Sequence, residues 1–387
     1  MTTAQAVITS RKMLRNASAL PEGIGCWKNC TCYCHADGFQ KLTLSSNVVG
    51  RDRYENFCER LSDEDGVFRA PERNIYREEK KDGCVTRFCE PFIALDPASG
   101  SVFRFADFGT YIGDSNDYGG QNEFFRNVCL LCWRSTDGGK TFGAPENLTP
   151  LYLADHQDGR PLLSCSHLLP CKDKSIKIPC GVWAVGGTSW KCRVLTGVIN
   201  ADQISWHWGD AIPQMSDRKL FMSEFSIAEV PAGLLAIVRA ATPGERISRK
   251  YVNISDDGGE TWGDTRELCY DTGEPVISSD SCGYIVPHSN GSYWYISNIF
   301  EAEREPIYAR NYIAIARLDP VNCTLIKDSV IIIDGLQPGD HDELAISNFS
   351  CYEDRQTGEI VVEAPVAFRH RTDLHDIDLM EYRIKVC

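Results

Sequence analysis

The chain has no apolar run long enough to cross a bilayer as a helix, and residues 1–25 carry no apolar stretch of the kind that marks a secretory leader. It has no G-x-S-x-G elbow, which leaves Ser-His-Asp catalysis without its usual nucleophile turn. No Gly-rich loop follows a strand-like run, so nucleotide binding has no cradle, and no long amphipathic helical period appears. Basic charge is scarce: 40 Lys and Arg stand against 54 Asp and Glu, a net charge of -14. With no basic stripe interleaved with aromatics, nucleic acid is not expected as a partner. An anionic ligand would have to be met by a local group of arginines working against the overall field.

What the chain does have, beyond about residue 84, is one short β-branched and aromatic run after another, separated by Gly, Asp, Asn and Pro turns. Phe92 to Leu95 with Val102 to Phe105, Gly181 to Val185 with Arg193 to Val198, and Ser226 to Val230 with Leu234 to Arg239 are examples. A hydrophobic fraction of 43%, with 10% aromatics, can supply a continuous core for 387 residues. One pattern occurs twice, as Ser135-Thr136-Asp137-Gly138-Gly139-Lys140-Thr141-Phe142 and as Ser255-Asp256-Asp257-Gly258-Gly259-Glu260-Thr261-Trp262. In each the Asp can accept backbone N–H groups, the Gly pair supplies positive φ, and the Thr-aromatic pair can anchor on a neighbouring sheet.

The repeated unit resembles the Asp-box of sialidases and related β-propellers, and the resemblance extends over most of residues 84–387. It is similar to the bacterial-type sialidase-like group at Ser223 to Leu235, at Ser255 to Trp262, at His288 to Asn298, at Ile346 to Phe349 and at Glu353 to Glu359. The resemblance implies an all-β fold, a six-bladed β-propeller with Asp-box repeats of roughly 40 to 50 residues per blade. Residues 36–387 would form this single propeller, after a Cys-rich N-terminal arm at 1–35. Residues 51–83 are expected as a charged loop or short helical insertion, and Leu379 to Val386 as a strand closing the ring against one near the N-terminus such as Phe39 to Leu44. The implied function is a glycoside hydrolase of sialidase type acting on a terminal acidic sugar. Its rivals are a non-catalytic glycan-binding propeller and a hydrolase of the same fold for another acidic or deoxy sugar.

The site residues follow from strands whose ends carry charge. Glu224 and Arg239 bracket a hairpin, Phe225 to Val230 with Leu234 to Val238, and resemble the sialidase segment in which a Glu leads one strand and an Arg closes its partner. Arg310 precedes the apolar run Tyr312 to Ala316 as the third sialidase arginine does, and Arg87 is the choice for the first, ahead of Arg69. Three guanidiniums could grip a carboxylate bidentately. The resemblance puts the general acid at Asp114 or Asp117, and an Asp of raised pKa there could protonate the leaving oxygen. The family's Tyr nucleophile is missing from its place, where Ala345, Ile346 or Ser347 stands; Tyr352 comes several residues late, and Asp340, His341 and Asp342 lie just before. His288, Trp294 and Asn298 are further candidates for the lining.

Cysteine is abundant, with 18 in the chain. Disulfides in an oxidising compartment are one reading and buried apolar thiols the other. Sequons at Asn16, Asn29, Asn147, Asn253, Asn290, Asn322 and Asn348 tip the reading toward disulfides and a secreted or lumenal glycoprotein over a cytoplasmic one. The run Cys26, Cys30, Cys32, Cys34, His35 has the wrong spacing for the common zinc patterns, so no metal is expected, and no cofactor.

Overall fold

A computed structural model of the chain describes residues 5–36, 38–49, 54–68, 71–77, 79–112, 127–184, 190–200, 203–215, 217, 219–241, 248–300, 309–370 and 376–387. The fold is nearly all β, with antiparallel pairing between successive strands and short helices such as Thr149–Asp155. Two compact units divide it, one of Met1–Pro21 with Gly209–Cys387, the other of Glu22–Trp208.

In the first unit, Phe221–Val230, Gly233–Ala241 and Ser248–Ser255 form a meander edged by Arg266–Glu267. Ile277–Pro287, Tyr293–Ile299 and Tyr312–Asp319 form a second, edged by Thr324–Leu325 and Ile331–Gly335. Among the described residues, the strand pairing between the two meanders is limited to Ser248↔Ser278 and Arg249↔Ile277. The third group sets Glu359–Ala367 beside Ile377–Val386, with Ala345–Ile346 and Ser350–Glu353 on its far side. Strands such as Gly233–Ala241 are buried on both faces, as a near-continuous Leu, Ile, Val and Ala run requires, and they pack Leu235, Ile237, Val252, Ile285 and Tyr295 into one core. The turn into that strand needs Gly233: its φ is 127° and a Cβ would lie 2.5 Å from the Ser255 carbonyl oxygen.

The second unit holds three further sheets, which run from Gly25–Ala36 to Arg73–Arg77, from Glu79–Lys81 to Glu146–Asn147, and from Gly159–Leu162 to Gln203–Trp208. Phe92, Phe103, Phe105, Ile176, Ile178 and Leu195 are among its core residues.

Several expectations change. The N-terminal 35 residues are not a separate arm: Ala6–Arg15 pairs along the last strand from Ala6↔Val386 to Arg15↔Leu379, and Gly25–Ala36 pairs with Phe39–Val48. The last strand is therefore covered by Ala6–Arg15 and not by Phe39 to Leu44, and the charged 51–83 segment contains the strands Tyr54–Ser62 and Arg73–Arg77. The disulfides are not formed either. All 18 cysteines are thiols and most are buried, acting as small apolar side chains. Two of the sequon asparagines, Asn29 and Asn253, are also buried, which closes them to glycan attachment.

The two repeated turns fold alike. Asp137 accepts from Ser135 Oγ at 2.7 Å, from Thr141 N at 2.9 Å and from Thr141 Oγ1 at 2.6 Å. Asp257 accepts from Ser255 Oγ at 2.7 Å, from Thr261 N at 2.9 Å and from Thr261 Oγ1 at 2.5 Å. These bonds hold the Asp137 carboxyl at a pKa of about 2 in spite of its partial desolvation, and they set Asp257 lower still. Asp257→Ala is expected to lower stability by about 1 to 2 kcal/mol, since the carboxylate is solvent-exposed and its bonds are partly replaced by water. Urea denaturation of the variant checks this, and an unchanged midpoint would contradict it.

Candidate active site

Glu224 and Arg239 come together through a β-bulge. The pairing steps from Met222↔Ala240 to Phe225↔Val238, so Ser223 and Glu224 together oppose Arg239 and the Glu224 side chain is re-aimed. Arg239 Nη1 donates to Glu224 Oε2 at 2.6 Å. The other face of the guanidinium is taken by Asp280, which accepts from Nε at 2.7 Å and from Nη2 at 3.2 Å. Each nitrogen of Arg239 is thus engaged by a carboxylate of the chain itself.

Asp280 was not foreseen from the sequence. It lies in a wide bulge, because the register jumps from Ser278↔Ile299 to Gly283↔Ser297. Residues 279–282 leave the ladder there, and three successive carbonyls need other donors. Lys250 Nζ donates to Ser279 O at 2.8 Å and also to Ser281 O, while Arg310 Nη2 donates to Asp280 O at 3.0 Å. Two cations therefore fix the backbone on either side of the Asp280 carboxylate. Lys250 is directly opposite Arg239 in the ladder, a like-charge pair that would be unfavourable without Asp280.

Arg310 is held from behind. Asn298 Nδ2 donates to Tyr312 O at 2.6 Å and to Ile346 O at 2.9 Å, and Ile346 N donates to Arg310 O at 2.8 Å. This clamp brings Ser347 to the guanidinium, with Arg310 Nη1 donating to Ser347 Oγ at 3.1 Å. Asn298 thus supports the site rather than lining it. The place where the resemblance calls for a Tyr presents Ser347, facing Arg310.

The charges follow from this packing. Burial opposes ionisation of Glu224, but the Arg239 charge and hydrogen bond, helped by Arg310, outweigh it and hold the carboxyl below its ordinary value. Burial likewise opposes Asp280, and the hydrogen bond and charge of Arg239, then Lys250 and Arg310, overcome it. Lys250 is brought down to about 8, chiefly by burial, with Asp280 pulling the other way.

The remaining candidates lie elsewhere. Tyr352, on Ser350–Glu353, is pushed well above an ordinary phenol by burial and by Glu363 and Glu381; Arg383 and Asp354 are its other charged neighbours. Asp340 is paired with Arg369 at 2.6 Å. His288 shares its Nε2 with Gly358 O at 2.8 Å, and Trp294 is fully buried with its Nε1 donating to Ser292 Oγ at 2.8 Å. Arg87 belongs to the second unit, fully buried on Cys84–Leu95 opposite Gly109. Asp114, Asp117 and Arg69 lie outside the described residues. The second unit also has its own acidic pair: Asp107 is buried with both oxygens accepting from Leu163 N, and Glu90, at φ 46° on a bulge, accepts from Tyr54 Oη at 2.8 Å. Burial raises the Asp107 carboxyl well above its ordinary value, with the Leu163 amide opposing and Glu90 adding to the rise.

No family model matches the chain, and no curated protein matches it in sequence. Its fold does match solved structures. The Hadza microbial sialidase Hz136 superposes with a TM-score of 0.64 at 14% identity, over 96% of this chain and 68% of that one. The leech intramolecular trans-sialidase, complexed with 2,7-anhydro-Neu5Ac, matches with a TM-score of 0.57 at 11% identity, over 98% and 70%. The GH93 α-L-arabinofuranosidase of Fusarium graminearum, complexed with arabinobiose, matches with a TM-score of 0.58 at 12% identity, over 98% of both chains. The chain has a sialidase-like fold.

Arg239→Met would strip two buried carboxylates of their shared partner, and a loss of about 3 to 5 kcal/mol is expected near neutral pH. In the wild type both carboxyl pKa values lie below the unfolded ones, so their contribution is present above the ordinary carboxylate range and is lost as pH falls. In the variant, burial without compensation raises them, and acid relieves the penalty. Urea unfolding of both proteins at neutral and at mildly acidic pH should show the gap closing on acidification. A gap independent of pH would contradict the assignment.

Proposed function

We propose that this chain, on its sialidase-like fold, is a glycoside hydrolase whose reacting centre is the Glu224, Arg239, Asp280 and Arg310 cluster. The observation that carries the reading is two ionised carboxylates bound to one guanidinium at the ends of apolar strands. Buried charge of this density is costly as scaffold and is a common mark of a reacting site. Glycoside hydrolysis runs on carboxylates that stabilise or attack the anomeric carbon while an acid protonates the leaving oxygen. Glu224 and Asp280 suit the first role because they stay ionised. Tyr352, with its phenol held protonated, is left out of the reacting set.

We read the architecture as six four-stranded blades with the two Asp-box turns on their hairpins. In its support, each unit holds three groups of about four strands once the nine-stranded sheet is divided at its short Ser248↔Ser278 junction. The fold neighbours are named for sialidase and for arabinofuranosidase activity, which supports a sugar as the substrate without favouring either charge. Arg310, whose guanidinium donates to a serine hydroxyl and a backbone carbonyl, is the cation best placed to receive a sugar oxygen. A second reading, a glycan-binding propeller without catalysis, draws support from Ser347 standing where the family presents its Tyr.

A panel of fluorogenic aryl glycosides tests the proposal. Wild type is expected to release aglycone from at least one, and Glu224→Gln to lower that rate by about a thousand-fold or more while leaving the thermal unfolding temperature within a few degrees. Full activity in Glu224→Gln would place the chemistry elsewhere. Binding without turnover of any member would favour the second reading.

A further inference from the structure

Resting on that reading of the site, we infer that its substrate is a neutral sugar, recognised through hydroxyls, and that the Asp280 carboxylate excludes acidic sugars by occupying the place an anionic ligand would take on Arg239. A free arginine at the end of a strand is a carboxylate receptor. Arg239 is not free. The pair of bonds from Nε and Nη2 to Asp280, at 2.7 and 3.2 Å, is the bidentate geometry with which a guanidinium grips a carboxylate ligand. The third nitrogen is committed to Glu224 at 2.6 Å. The chain supplies its own anion.

The internal carboxylate is also hard to displace. Its backbone is fixed by Lys250 on the carbonyls of Ser279 and Ser281 and by Arg310 on the carbonyl of Asp280. Rotating the Asp280 side chain away from this fixed backbone would leave its carboxylate, 10% exposed, and two nitrogens of Arg239 without their partners. Binding an acidic sugar without moving Asp280 would bring a third carboxylate against Glu224 and Asp280, where like charges in a poorly solvated site repel strongly.

The local charge agrees. The accessible edge of the cluster carries two guanidiniums, Arg239 and Arg310, and two carboxylates, Glu224 and Asp280, so it balances. Lys250 is 1% exposed, with its ammonium spent on two carbonyls, and offers no donor to a ligand. The groups left to meet a ligand are the partly exposed carboxylates, which accept from sugar hydroxyls, and the Arg310 guanidinium, which donates to them. Arg310 Nε is itself buried and has no hydrogen-bond partner among the described residues. A polyhydroxylated neutral ring satisfies both sets; a ring carrying its own carboxylate satisfies the second at the expense of the first.

The test is a paired panel on the full chain: 4-methylumbelliferyl glycosides of neutral sugars, both furanosides and pyranosides, against the 4-methylumbelliferyl sialoside and glucuronide. Wild type is expected to favour its best neutral substrate over either acidic one by about 100-fold or more in kcat/KM. Because Asp280 belongs to the reacting centre, Asp280→Asn, which keeps the shape and removes the charge, is read by calorimetric binding of the free sugars, and the neutral-to-acidic affinity ratio is expected to shrink from its wild-type value by at least about tenfold, because Arg239 becomes available. An acidic glycoside turned over as well as the best neutral one would overturn this inference and leave the hydrolase reading standing. Failure of every glycoside would instead overturn the hydrolase reading, and this inference with it. The wild-type comparison remains decisive even if Asp280→Asn does not fold. An unchanged affinity ratio in a folded Asp280→Asn protein would show that Asp280 is not what sets the selectivity.

Discussion

The guanidinium of Arg239, held between Glu224 and Asp280, is the interaction on which the site depends. Three side chains from two meanders meet there, and each is where it is because the backbone departs from regular pairing. One residue of extra chain at Ser223 and Glu224 turns a strand residue toward Arg239, and a wider excursion at 279–282 carries Asp280 to its other side. A regular ladder would send neighbouring side chains to alternate faces of the sheet, and neither carboxylate would be aimed as it is.

Those departures have an energetic cost that the same residues offset. A bulge frees backbone carbonyls, and buried carbonyls without donors are destabilising by about 1 to 3 kcal/mol each. Lys250 and Arg310 supply the donors, so cations that would repel one another are accommodated by a stretch of backbone whose carbonyls need them. Asn298 extends the arrangement by tying Arg310 to Ile346, which in turn brings Ser347 to the guanidinium. Scaffold and site are one hydrogen-bonded network in this unit.

Part of this was legible in the sequence. Glu224 and Arg239 bracket a hairpin, which brings its two ends to one side, so their meeting could be read from the pattern, whereas Arg310 was placed by resemblance. The repeated Ser-x-Asp-x-Gly-x-Thr turns were legible for a local reason: the hydrogen bonds of each Asp side chain lie within eight residues. Asp280 and Lys250 were not, because their roles arise from an irregular register that no periodicity announces. The pairing of Ala6–Arg15 with the final strand was also hidden, since that strand is polar on its outer face and its partner is at the far end of the chain. The cysteines misled in another way: their number suggested cross-links, whereas most serve as small apolar packing.

A carboxyl-detected carbon-13 NMR titration of the folded protein, with Glu224 and Asp280 assigned by substitution, probes the Arg239 pairing most directly. Both carboxyls are expected to stay ionised to pH values below the ordinary range of their residue types, and both to move upward together in Arg239→Met. Either carboxyl titrating at or above its ordinary value in the wild type would mean that Arg239 does not bind the pair, and the description of the site would fail with it.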